Sequence, residues 1–129
     1  MKFGLLVTGS PYTSPAPHSA LRFAQGVVDR GHTLAGIFFY QEGVLNASAL
    51  LSPPQDELNL RKAWVALHRD HGCALDVCIA AALRRGVLSQ AEAQRHGLTQ
   101  HSLEPPFELT GLGQLLVLQK SCDRFLTFA

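Results

Sequence analysis

Apolar and polar residues follow one another along the chain in blocks that predict strands and helices in turn. Phe3 to Val7 is a continuous apolar run closed by Gly9 and Pro11, which is typical of a strand buried on both faces of a parallel sheet. The next apolar positions are three and four residues apart and predict a helix: Ala20, Phe23, Ala24, Val27 and Val28. Leu34 to Tyr40 then reads as a second strand, so the chain begins with a right-handed βαβ unit.

The rest of the chain continues this alternation as far as its end. Its middle part predicts a helix through Leu60, Ala63, Trp64 and Leu67 that ends near Gly72, then a strand Ala74–Ile79 and a helix Ala80–Arg85. After these come a short helix opened by Ser89 and Glu92 and a short strand around Phe107. The chain then has a helix within Gly111–Ser121 and a last strand Phe125–Phe128. In the helix within 111–121, Leu112, Leu115 and Leu116 are expected to share the buried face. The pattern predicts one α/β domain over residues 1–129, a three-layer α/β/α sandwich with a mostly parallel sheet of about five strands.

The composition of the chain indicates which classes of function are favoured and which are disfavoured. The 129 residues are 47% hydrophobic and 16% charged, which is typical of a folded globular chain. A formal net charge of +1 without a basic block disfavours direct nucleic-acid binding. No apolar run reaches the ~18 residues of a membrane span, and the apolar run in Met1 to Thr8 is too short for a signal peptide. We therefore expect a cytoplasmic protein whose three cysteines are reduced.

Cys78 lies where chemistry collects in a fold of this kind. In open parallel sheets, functional groups gather at the carboxyl ends of strands, where the following helix points its first N–H groups outward. An unperturbed thiol has a pKa of about 8.5, and a helix N-terminus can lower it. We expect this field to favour the thiolate more than Arg84 or Arg85, which lie about two turns further on. An inert, buried cysteine is the alternative that position alone leaves open.

The other two cysteines and a histidine pair give weaker signals. Cys73 lies five residues before Cys78, and extended chain of that length can separate the two by up to ~17 Å, so no disulfide is expected. Cys122 lies between the last helix and the last strand, where a packing role is expected. His68 and His71 share a helical face and could hold a metal, but no third ligand is near, and a solvated last turn is expected instead.

Four segments, in order along the chain, carry a resemblance to a known family. They are Val7–Gly9, Phe38–Gly43, the run CIAAALRRG from Cys78 to Gly86, and Leu109–Leu115. Together they resemble the TusD/DsrE family of sulfurtransferases over essentially the whole chain. The run from Cys78 resembles the active-cysteine segment of that family, so the resemblance implies that Cys78 is the catalytic thiol. It implies no catalytic role for Cys73 or Cys122.

The resemblance also implies a biological setting. It suggests a DsrE-like fold, TusB-like and TusC-like partner subunits in a heterohexamer, and no cofactor. Sulfur would pass as a persulfide from a TusA-like donor to Cys78 and on to a TusE-like acceptor, for 2-thiolation of the wobble uridine of tRNA. Two alternatives stay open: a DsrE-like carrier in dissimilatory sulfur oxidation, and a scaffold subunit in which Cys78 is chemically silent.

Overall fold

The computed structural model describes all residues from 1 to 129 and contains one five-stranded sheet. The strands are β1 (Lys2–Val7), β2 (Thr33–Phe39), β3 (Ala74–Cys78), β4 (Phe107–Thr110) and β5 (Arg124–Phe128). The helices are α1 (Ala16–Asp29), α2 (Leu60–His71), α3 (Ile79–Arg84), α4 (Gln90–Arg95) and α5 (Leu112–Ser121), with a 3-10 helix at Gln41–Ala47. The strand order is β4-β3-β2-β1-β5, and every pair is parallel. The predicted fold class is confirmed; the 3-10 helix was not predicted.

Local sequence signals set the helix ends, as predicted at Gly72 and Ser89 and as the structure also shows at Asn59. Gly72 ends α2 in the left-handed region at φ 70°, a conformation that a residue without Cβ adopts at no steric cost. The Asn59 side chain accepts a hydrogen bond from the Lys62 amide at the start of α2, and Ser89 accepts one from the Glu92 amide at the start of α4. Each of these signals lies within a few residues of the end that it sets, and that is why the helices could be read from the sequence.

Helices α1 and α2 cover one face of the sheet. The aromatic rings of this layer meet edge to face, with 5.8 Å between the ring centres of Phe3 and Phe23 and 5.5 Å between those of Phe39 and Trp64. Trp64 is fully buried and donates from Nε1 to the Asn46 side chain of the 3-10 helix, 3.3 Å away. This layer holds much of the hydrophobic core, as the apolar face of α2 predicted.

Helix α5 packs on the opposite face, against β1 and β2. Two glycines make this close approach possible: a Cβ on Gly36 would lie 3.3 Å from a Leu118 methyl, and one on Gly4 would lie 2.8 Å from Cys122 Sγ. The prediction that Leu112 and Leu116 are buried was wrong, because both are exposed and Leu118 faces the sheet instead. Apolar residues occur all around α5, so its periodicity could not select the buried face.

Strands β3 and β4 direct side chains to the same face as α5, whose main sheet contacts are with β1 and β2. Residues paired in neighbouring parallel strands point to the same side of a sheet, so Ala74 shares this side with its partner Gly36. Ala74 and Glu108 are exposed here, and Thr110 is half-buried. We call this region the open face; it consists of Ala74, Asp76, Cys78, Glu108 and Thr110.

No helix of the structure combines the length and the apolar character that crossing a membrane requires.

Candidate functional site around Cys78

Cys78 is the last residue of β3 and the residue immediately before α3. The predicted strand-to-helix junction is therefore present, with Cys78 still extended at φ −62° and ψ 117°. Its side chain accepts no hydrogen bond from the first amides of α3, which has only six residues. The residue is 3% exposed and belongs to the hydrophobic core. The thiol therefore lies in apolar surroundings with almost no access to solvent.

Two half-buried side chains flank the thiol at the carboxyl edge of the sheet. Cys78 pairs with Thr110 of β4, so both side chains point to the open face. On the side of Cys78 away from Thr110 lies β2, whose last residue, Phe39, pairs with Val77. Tyr40 comes next and has an extended backbone, so its side chain points to the same face as Cys78 and lies beside it. Thr110 Oγ1 is buried and has no hydrogen-bond partner. Cys78 thus lies next to a hydroxyl group without a hydrogen-bond partner, and its two neighbours, Thr110 and Tyr40, are each partly exposed to solvent.

Asp76 lies two residues before Cys78 on the same strand and points to the same open face. It is 6% exposed, and its carboxylate has neither a hydrogen-bond donor nor a basic partner. Its partner in the sheet register is another carboxylate, Glu108. Burial, and secondarily the charge of Glu108, raise the pKa of Asp76 above its ordinary value. Sequence reasoning missed this pair, because only the register of β3 and β4 brings the two residues together.

We expect Asp76→Asn to stabilise the protein at neutral pH by about 0.5–1 kcal/mol, the usual scale for a cross-strand pair of charges. A raised pKa means that the folded state binds the proton of Asp76 more tightly than the unfolded state does. The stabilisation that this proton supplies is complete below the ordinary pKa of 3.8 and is lost as the pH rises through the pKa of Asp76 in the folded state. The gain from Asn should therefore be present at about pH 7 and shrink towards about pH 4. Urea unfolding at both pH values measures it.

The matched control for this variant is Asp29→Asn, because Asp29 is an exposed carboxylate without an ion pair at the end of α1. It should change the free energy of unfolding little at either pH. A gain in Asp76→Asn that is the same at both pH values would show that the raised pKa is not its origin.

The other two cysteines lie in packed positions, and all three thiols are free. Cys73 is fully buried, and its carbonyl accepts a hydrogen bond from His68 Nδ1, 2.9 Å away. Burial raises the pKa of the Cys73 thiol to about 11, which leaves it protonated near neutral pH. Cys122 Sγ packs against Gly4 between α5 and the sheet.

The two histidines of α2 have separate surroundings. No group of three or more His, Cys, Asp or Glu side chains is close enough to hold a metal ion. His71 is exposed, as the predicted solvated last turn requires. His68 was expected to be solvated as well, but it is half-buried and joins the end of α2 to the start of β3 through the Cys73 carbonyl. The difference arises because the chain turns back at Gly72 and brings that carbonyl to the imidazole.

The two arginines of α3 also differ in their roles. Arg85 binds Glu42 Oε1 with its Nε and Nη2 atoms at 3.0 and 2.9 Å and donates to the Ala81 carbonyl at 3.0 Å. This ion pair joins α3 to the 3-10 helix, so the charge of Arg85 is already partnered. Arg84 is exposed.

Comparison with known proteins defines the class to which this fold and site belong. The model of the DsrE/DsrF-like family matches residues 1–128. The crystal structure of the ychN protein from E. coli has the same fold, with a TM-score of 0.77 and 19% sequence identity over 99% of both chains. The chain therefore belongs to the DsrE/DsrF-like family.

Relatives within this family are more specific about the class of activity. The chain is 50% identical over 128 residues to the sulfurtransferase TusD of Klebsiella pneumoniae, covering 99% of this chain and all of the relative. It is 47% identical, with the same coverage, to the sulfurtransferase TusD of Salmonella newport. The resemblance read from the sequence is confirmed, and the class of activity is sulfur transfer.

Proposed function

We propose that this sulfurtransferase carries sulfane sulfur on Cys78 as a persulfide and passes it between partner proteins. The observation that supports this most strongly is the position of Cys78 at the carboxyl end of β3, beside the half-buried Thr110 and Tyr40. Cys73 is fully buried with a raised pKa, and Cys122 is packed between α5 and β1. Of the three thiols, Cys78 is the one at the edge of the sheet where active groups collect in this architecture.

The proposed transfer needs only thiol chemistry. The Cys78 thiolate attacks the terminal sulfur of a donor hydropersulfide, a new S–S bond forms, the donor S–S bond breaks, and the donor leaves as a thiolate. The proton of the donor hydropersulfide stays on the transferred sulfur. An acceptor thiolate then repeats the exchange on the Cys78 persulfide. The apolar residues around Cys78 would keep water and oxidants from this group between the two steps.

For the biological setting we propose the sulfur relay that the TusD relatives suggest. In it the chain assembles with TusB-like and TusC-like subunits in a heterohexamer, in the cytoplasm. It receives sulfur from a TusA-like donor and passes it to a TusE-like acceptor for 2-thiolation of the tRNA wobble uridine. The names of the relatives and the near-neutral charge of the chain support this, because the carrier itself then has no need to bind RNA.

One observation favours a second candidate function, that of a scaffold subunit. Cys78 is only 3% exposed, so a visiting cysteine would reach it only after Tyr40, Thr110 or their surroundings move. If no such movement occurs, the chain would serve assembly of the complex without carrying sulfur itself.

The test is to incubate the intact protein with glutathione persulfide and follow its mass. One added sulfur, about 32 Da, is expected, and peptide mapping should locate it on Cys78. Cys73 and Cys122 serve as controls within the same molecule, with cleavage before Asp76 separating the Cys73 peptide from the Cys78 peptide. A protein that gains no sulfur on Cys78 yet assembles with its partner subunits would support the scaffold function instead.

A further inference from the structure

Two carboxylates on the open face have no counter-charge within the chain. Several other carboxylates of the chain do have basic partners: Glu42 with Arg85, Glu92 with Arg95, and Glu104 with His101. Asp76 and Glu108 face each other in neighbouring strands without any basic partner. Like charges directly opposite each other destabilise a sheet, and a buried charge is costly unless it is paired. The arrangement is therefore unfavourable in the isolated chain.

The surroundings indicate that the missing group approaches from outside. Asp76 is 94% buried by its neighbours, whereas Glu108 beside it is exposed, so a side chain arriving over Glu108 reaches both carboxylates. Thr110 Oγ1, on the same face and next to Cys78, is a buried polar atom without a partner. Helix α5 has its main sheet contacts with β1 and β2, and on this part of the face Ala74 and Glu108 are exposed.

We propose that Asp76 and Glu108 together bind a lysine or arginine side chain of the protein that exchanges sulfur with Cys78. The inference rests on the function proposed above and adds to it the chemistry by which the partner is recognised. Asp76 and Cys78 are alternate residues of one strand, so their side chains point the same way about 7 Å apart. A basic residue bound there holds the neighbouring cysteine of the partner over the Cys78 sulfur. Asp76 and Glu108 act as positioning residues and take no part in the covalent step.

The charge preference can be measured with small disulfides on the intact protein. Three probes of similar size are used: cystamine, which is cationic, 2-hydroxyethyl disulfide, which is neutral, and 3,3′-dithiodipropionate, which is anionic. In each case the Cys78 thiolate forms a mixed disulfide and one probe thiolate leaves. Intact mass follows the rate, and peptide mapping assigns the product to Cys78. Since the probes differ in intrinsic reactivity, the ratio of cystamine to neutral rates is compared between variants.

We expect Asp76→Asn/Glu108→Gln to lower this ratio about fivefold at low ionic strength, and high salt to lower it in the wild type. Asp29→Asn, which removes an exposed carboxylate at the end of α1, should leave the ratio unchanged. The same ratio in the double variant as in the wild type would overturn the proposal. Failure of Cys78 to react with all three probes would overturn it as well, because a docking point beside an unreachable thiol has no use.

A second arm separates this inference from the proposed function. Persulfidated cysteine peptides that differ only in a flanking Lys or Glu are offered as sulfur donors. Faster loading from the Lys peptide, lost in the double variant, supports both proposals. Equal sulfur loading of Cys78 from both peptides contradicts the docking proposal and still supports Cys78 as the carrier. No loading from either peptide, together with a clear cystamine preference, sinks the carrier function while the basic docking point stands.

Discussion

Replacing Cys78 with Ser is expected to reduce sulfur loading to background, a loss of more than about a hundredfold. A serine hydroxyl is not ionised near neutral pH and cannot form a hydropersulfide, so the nucleophile and the carrier atom are lost together. The expected readout is the absence of the adduct of about 32 Da after incubation with glutathione persulfide. The backbone should be unchanged, because Ser differs from Cys in one atom.

Two further variants make this experiment decisive. Cys78→Ala removes the thiol without placing a hydroxyl in an apolar site, so its thermal unfolding shows whether any loss of loading reflects unfolding. Cys122→Ala removes the one thiol that is not buried and should load sulfur as the wild type does. Equal loading of the Cys78→Ser protein and the wild type would reject Cys78 as the carrier.

Gly43→Ala is expected to lower the free energy of unfolding by more than about 3 kcal/mol. Gly43 belongs to the 3-10 helix, and a Cβ at this position would lie 2.1 Å from the carbonyl oxygen of Val7 and 2.8 Å from its carbonyl carbon. Both are backbone atoms of β1, which pairs with strands on both sides and cannot move aside. The clash would push the 3-10 helix away from the sheet and disturb the Glu42–Arg85 pair that holds α3 behind Cys78.

Gly26→Ala is the matched control, because it adds the same methyl group in open space. Nothing lies within 4 Å of the added Cβ, and Gly26 is inside α1. Alanine is favoured over glycine in helices by about 0.8–1 kcal/mol, so this variant should unfold at a higher urea concentration. A Gly43→Ala protein that loses less than about 1 kcal/mol would show that the 3-10 helix adjusts freely and does not position α3.

Long-range features of the site were beyond the reach of sequence patterns. Cys78 was placed correctly because a buried apolar run and a helix meet there, and both signals are local. Its neighbours in the fold, by contrast, come from distant parts of the chain, such as Thr110 of β4, which pairs with Cys78 in the sheet. Likewise, α5 was located correctly and Leu115 packs against the core, but Leu118 lies on the sheet in place of Leu112 and Leu116, because Gly36 in a distant strand leaves room for it.

The sequence by itself determined the class of fold, the order of the elements, their caps and the thiol at the end of β3. It could do so because apolar period and helix capping act between residues close together in the chain. Only the tertiary structure decided that Asp76 lies against Glu108, that Cys78 lies against Thr110, and that α5 leaves this part of the sheet open. Strand order and register are set by the packing of the whole sheet, and no local pattern encodes which side chains they bring together.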